Sequence, residues 1–158
     1  EIAEKLFLAI HPYLPAAGLA APQIGISRSI FIYSYDRNPK HLEVAINPTF
    51  VPIDETLCEG WEGCFSVILC ETGWKLAKVP RYEKIKAVYL NQNGEWVEKV
   101  LEGFAAKVFQ HECDHLQGIV NIYRHDALIQ EFKTQEELFR FMEDVKKEDA
   151  RRYKNLLE

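Results

Sequence analysis

"FQHECDHLQG", residues 109–118, decides how this chain is to be read. It sets His111 and His115 four apart, with Glu112 directly after the first histidine and Gly118 at the end. Upstream, Phe104 and Val108 extend the same steps of four, three and four, which is the spacing of one face of a helix. Glycine is a common helix terminator, so the pattern predicts a helix from Glu102 to near Gly118 with both histidines on its buried stripe.

Working outward, the stretch just before this helix reads as a hairpin. "KIKAVYL" and "EWVEKVL" flank "NQNG", and the Asn93-Gly94 pair tolerates the positive φ angles of a tight turn, so residues 84–101 are expected to pair. "RSIFIYSY" (28–35) and "LEVAIN" (42–47) are β-branched and aromatic runs bounded by turn formers, and they read as strands. At the start, Ile2, Leu6, Ala9 and Ile10 recur at helical spacing until Pro12 and Pro15 stop them, which predicts a helix over residues 1–11. Near the end, Thr134 with Glu137 makes a capping-box start, and Leu138, Phe141, Met142 and Val145 form the apolar face of a final helix. With helices segregated from hairpins, the order indicates an α+β single domain over residues 1–158, built on one mostly antiparallel sheet.

A chain of 158 residues buries enough surface to fold without disulfide staples. A net charge of -5 argues against a nucleic-acid footprint, and the basic run near the C-terminus reads as a solvated helix face. No window is apolar for long enough to span a membrane. Cys58, Cys64, Cys70 and Cys113 are irregularly spaced, which favours reduced thiols and a reducing, cytoplasmic compartment. The first residue is Glu1 rather than Met, which leaves room for an upstream segment and an organelle address. His11, His41 and His125 sit in polar, turn-like surroundings and read as surface histidines.

Histidines at i and i+4 of one helix can present ring nitrogens to a single ion, while Glu112, about 100° around the axis, can reach a water on that ion. A catalytic metal site usually takes three protein ligands. The pattern HExxHxxGxxH would place the third at position 121, which is Asn121, so that version fails. From the residues alone, a downstream acid (Glu131, Glu136 or Glu137) and a cysteine thiolate remain open.

Cys64 lies in "WEGCFSV". Taken in order, "GLAAPQIG" (18–25), "EGCFS" (62–66) and "QHECDHLQG" (110–118) resemble the three motifs of the peptide deformylase family, and "INP" (46–48) and "VPR" (79–81) extend the likeness. That resemblance implies mostly antiparallel sheets packed around a central HExxH helix, followed by a C-terminal helix. It implies Cys64, His111 and His115 as ligands of one divalent metal, natively ferrous iron, with zinc, nickel or cobalt able to occupy the same atoms. Glu112 would carry the proton, and Gln23 with the backbone N–H of Phe65 would stabilise the oxyanion. Ala17, Gly18, Glu62 and Gly63 would meet the substrate, and Asp114 would pair with Arg81. The implied reaction is hydrolysis of the formyl group from N-formylmethionyl peptides or nascent chains, with the ribosome as a further partner and no nucleic-acid or membrane site.

Three departures from the family pattern are visible. Ala16 stands where the first motif usually has glycine, and would resist a positive φ angle. Phe65 replaces leucine. Residues 68–78, "ILCETGWKLAK", replace a Pro-Gly turn, which leads us to expect a longer lip over the cleft carrying Trp74. Two other readings follow: a deformylase-like protein with altered or lost activity, and an HExxH metallopeptidase.

Overall fold

The computed structural model describes residues 1–14, 16–68 and 73–157, with the side chains of residue 149 and of residues 152–157 left out of the description. Two compact units are distinguished, Glu1–Cys58 with Pro80–Val120, and Glu59–Val79 with Asn121–Glu158.

The first unit is built on a five-stranded sheet in the order β1-β2-β3-β6-β7, with β1 at Gly18–Ala20, β2 at Ile30–Ser34, β3 at Leu42–Pro52, β6 at Lys84–Leu90 and β7 at Trp96–Glu102. Its neighbours are antiparallel throughout. The strand read at 42–47 runs on to Pro52. It survives the "INP" stretch through a register shift between Ile46 and Thr49, with Asn47 at φ 50. Asn is among the few residues with a side chain that accept this left-handed conformation.

The hairpin has a different turn from the one expected. Only Gly94 takes a positive φ, 76°, and Asn93 does not. Asn91 explains the change: its Oδ1 accepts from the N–H groups of Asn93 and Glu95, and its carbonyl accepts from Gly94 N–H. The turn is thus held by an asparagine at its first position, with one left-handed residue, glycine, at its end.

Helix α1 (Ile2–Ile10) packs on β1 and β2 through Leu6 and Ile10, and ends in a short 3-10 turn at His11–Tyr13 that takes in Pro12. Pro15, read as a second stop, lies outside the described residues. The core gathers Phe31, Tyr33, Tyr89 and Phe109, whose rings meet mostly edge to face with centroids 5.1–6.0 Å apart. Phe109 belongs to α3 (Phe104–Leu116), which packs against β1, β2, β3, β6 and β7. Burying such aromatic area, with favourable edge-to-face geometry, fixes the histidine helix on the sheet.

A separate three-stranded sheet in the order β4-β5-β8 lies mostly in the second unit, with Pro80–Tyr82 at the end of β5 belonging to the first, so the single sheet inferred from the chain becomes two. Strand β4 is Leu57–Glu62, β5 is Trp74–Tyr82 and β8 is Leu128–Phe132. Gly60 in β4 and Pro80 in β5 hide these strands from a propensity reading. Strand β5 also overturns the lip over 74–78. Trp74 pairs with Phe132 and Lys78 with Leu128, so this stretch is sheet rather than loop. Residues 69–72 of that expectation lie outside the described residues, and Ile68 ends a short helix.

A short helix, α2 (Phe65–Ile68), follows β4, and the long α4 (Gln135–Leu157) closes the chain. Thr134 Oγ1 accepts from Glu137 N–H at its start. The returning arm of the capping box goes to Lys133 N–H, one residue earlier than the motif prescribes. Leu138 is fully buried, and Phe141 packs edge to face on Trp61 and against Phe132.

Candidate metal and catalytic site

Helix α3 brings His111 and His115 together on one stripe. Their Nε2 atoms are 3.1 Å apart and their rings lie edge to face. Two imidazoles bound to one tetrahedral zinc-like ion at Zn–N distances near 2.05 Å would hold these atoms about 3.3 Å apart, so the pair already has ligand spacing.

What aims this pair is the neighbouring stripe, Gln110 and Asp114, also four apart. Gln110 Oε1 accepts from Tyr82 N–H, while its Nε2 donates to the carbonyls of Tyr82 and Ala106. Asp114 Oδ2 accepts from Arg81 Nη1 at 2.6 Å. Arg81 and Tyr82 are consecutive at the end of β5, so one strand end grips the helix at two successive turns and sets its rotation. The helix then stops abruptly. Gly118 N–H bonds to His115 O and Ile119 N–H to Asp114 O, with Gly118 at φ 76, the paired bonds of a Schellman ending.

Glu112 is buried and faces β1. A Cβ placed on Gly18 would lie 2.9 Å from Glu112 Oε1 and 2.8 Å from Ile32 O. Glycine at 18 is therefore required by the carboxylate behind it, a reason the chain itself did not reveal. Ala17 is bound through its carbonyl to Ser34 N–H. Gln23 sits in the 3-10 turn Ala21–Ile24, where its Oε1 accepts from Ala20 N–H at 2.9 Å, making the NH₂ the donor end of the amide. Ala16 is buried and is not among the residues with positive φ, so the strain expected there does not arise.

In the second unit, Glu62 ends β4, and Gly63 and Cys64 belong to neither strand nor helix. Cys64 is buried, and its carbonyl accepts from Val67 N–H and Ile68 N–H. Phe65 opens α2, where first-turn N–H groups lie outside the helical ladder.

Cys64, His111 and His115 offer one thiolate and two imidazole donors. A thiolate with two imidazoles suits tetrahedral, borderline-soft divalent ions, so the donor set fits such a metal. Cys113 is not one of these donors. Burial, then the carboxylates of Glu112 and Asp114, push its thiol well above the ordinary value against a pull from Arg81. His41 pairs with Asp36 at 2.7 Å and stacks on Tyr35, while His11 and His125 are exposed.

Sequence reasoning passed over Gln110 and saw Asn121 only as a missing histidine. The signal for Gln110 was its position four before Asp114 on the stripe beside the histidines.

Comparison with known proteins follows the same residues. A peptide deformylase of Ralstonia nicotianae is 43% identical over 111 residues, covering 66% of this chain and 60% of that protein. This chain thus spans less than two thirds of that relative's length. The crystal structure of peptide deformylase from Thermotoga maritima superposes with a TM-score of 0.65 at 38% identity, covering 77% of this chain and 76% of that one. The Met-Ala-Ser-bound class I type b peptide deformylase of Acinetobacter baumannii gives a TM-score of 0.68 at 34% identity, covering 78% and 79%. The polypeptide deformylase family model matches residues 1–131, a span that takes in Gly18, Gln23, Cys64, Glu112 and both histidines. By that match, and by relatives alike in both sequence and fold, the chain belongs to the polypeptide deformylase family.

Proposed function

We propose that this chain is a metal-dependent hydrolase that removes the formyl group from N-formylmethionyl peptides of newly made proteins and releases formate. The observation that carries the reading is the His111–His115 pair at ligand spacing with Glu112 buried between them in the chain. The tripeptide Met-Ala-Ser in the Acinetobacter baumannii structure supports the substrate class, since it is what remains of a formylated tripeptide once formate has left.

Cys64, His111 and His115 would hold the metal, with ferrous iron as the native ion and zinc, nickel or cobalt as substitutes. When bound, the metal would supply a water acidified enough to attack the formyl carbon near neutral pH. Glu112 takes the proton from that water and returns it to the leaving amine. The Gln23 side-chain NH₂ and the Phe65 backbone N–H donate to the oxygen that gains charge. Among the described residues strand β1 has a sheet neighbour on one side only, so an extended peptide can run beside Ala17 and Gly18, with Glu62 and Gly63 as its other contacts. Asp114 and Arg81 hold the helix in register. The chain would act as one catalytic domain over residues 1–158, on nascent chains at the ribosome and in the cytoplasm. No described helix is long and apolar enough to cross a membrane.

The test is formate release from formyl-Met-Ala-Ser against cleavage of unformylated Met-Ala-Ser, with iron or nickel loaded anaerobically. Formate release with no cleavage of the unformylated peptide is expected. Cleavage of the unformylated peptide would favour a metallopeptidase, and metal uptake without either activity would favour a member that has lost its catalysis.

A further inference from the structure

Asn121 occupies the position where a third histidine would complete HExxHxxGxxH. It opens the 3-10 turn Asn121–Tyr123, is 2% exposed, and donates from Nδ2 to the carbonyl of Glu62 at 3.1 Å. Its Oδ1 is buried with no hydrogen-bond partner among the described residues. A leucine of the same branched shape would bury no unsatisfied oxygen, so the amide is unfavourable for stability unless its donor does something a leucine cannot.

The donor acts at one particular point. Glu62 is the last residue of β4, and the two residues after it, Gly63 and Cys64, belong to no regular element. Downstream, the Cys64 carbonyl is held by the first turn of α2. Upstream, the sheet ladder ends at Glu62, where Asn121 takes the carbonyl. We propose that Asn121 is a positioning residue for Cys64. By fixing the Glu62 carbonyl it sets where the chain leaves β4, and hence how the thiolate is presented to a metal. The inference rests on the metal site proposed above and adds to it a residue that is not itself a ligand.

Cobalt(II) provides the test, because its thiolate charge-transfer band reports the Cys64 bond directly. Asn121→Leu removes the donor, and Asn121→Asp keeps the shape but replaces the donor with an acceptor. Both are expected to bind cobalt(II) about 10-fold or more weakly in chelator competition, the usual scale for groups that orient ligands, and to shift or weaken the band. Leu138→Ala, in a buried position of the same unit, should lower the melting temperature while leaving affinity and band unchanged. Wild-type affinity and band in Asn121→Leu or Asn121→Asp would overturn the proposal. So would a loss of affinity in Leu138→Ala equal to theirs at the same loss of melting temperature. A wild-type protein that neither binds cobalt(II) through Cys64 nor releases formate would defeat the underlying metal reading, and this inference with it.

Discussion

The carboxylate of Glu112 fills the space that a side chain on residue 18 would need, with Oε1 2.9 Å from the ideal Cβ position. The other nearest atom, Ile32 O at 2.8 Å, is backbone of the partner strand and cannot swing aside. Gly18→Ala must therefore displace either β1 or the carboxylate. It should cost about 1–3 kcal/mol, as overpacking of a filled interior does, and lower turnover by more than the stability loss explains. Thermal melting and formate release, compared on one preparation, check this. An alanine variant with unchanged turnover would show that Glu112 has room to retreat.

Glu112 itself is expected to move protons rather than hold metal. Glu112→Ala should keep its metal content and lose roughly 10²- to 10⁴-fold in kcat, the usual worth of a general acid–base group. Metal analysis beside formate release separates the two roles, because loss of the ion would mark the carboxylate as a ligand.

How much of this was visible in the chain depends on how local each signal is. Helix α3 declared itself because its apolar and histidine positions share one period, and Gly118 punctuates its end. Strands β4, β5 and β8 did not, because Gly60 and Pro80 weaken the strand pattern and "LIQEF" pairs with β5 from across more than forty residues of chain. The roles of Gly18 and Gln110 were equally hidden. Each is defined by an atom distant in the chain, the Glu112 carboxylate in one case and the Tyr82 peptide in the other. Ala16 misled in the opposite direction, since a family habit suggested strain that the backbone does not show.

The grip of β5 on α3 gives a further expectation. Arg81 has a side chain only 2% exposed, and Asp114 accepts from it at 2.6 Å. Removing one member of a buried ion pair costs about 3–5 kcal/mol, and the 18% exposure of the Asp114 side chain puts Asp114→Ala toward the lower end. Gln110→Leu removes the bonds to both sides of the Tyr82 peptide, at about 1–3 kcal/mol for each group left unsatisfied. Because both residues set the same helix rotation, the double variant should lose less than the sum of the two. Chemical denaturation of all four proteins measures that coupling, and strict additivity would mean the two contacts act separately.

The last prediction concerns pH. Tyr33 and Tyr89 share a hydrogen bond at 3.0 Å, and Tyr89 donates to Glu43 Oε2, whose carboxylate also receives Lys99 Nζ at 2.8 Å on both oxygens. Burial alone would raise the carboxyl of Glu43. The bonds from Lys99 and Tyr89, the Lys99 charge and the weaker bond from Tyr33 outweigh it and hold the group below its ordinary 4.5. A carboxyl depressed in the fold stabilises it above the unfolded value, so this contribution is full above about 4.5 and drains away as pH falls below that. Both tyrosines shift the other way. Burial first, and for Tyr89 the bond with Tyr33, push them above their ordinary 10.0. A hydroxyl raised in the fold contributes fully below the unfolded value and loses that contribution as pH climbs from about 10 toward the folded value. Melting temperature against pH should therefore fall on both sides of a plateau. Glu43→Gln should flatten the acid limb and leave most of the alkaline one, whereas Tyr89→Phe should flatten the alkaline limb and, by removing one of the bonds that hold Glu43 low, weaken the acid limb as well. If both substitutions lowered the whole curve evenly, the cluster would contribute packing alone and its ionisation would not govern the limbs.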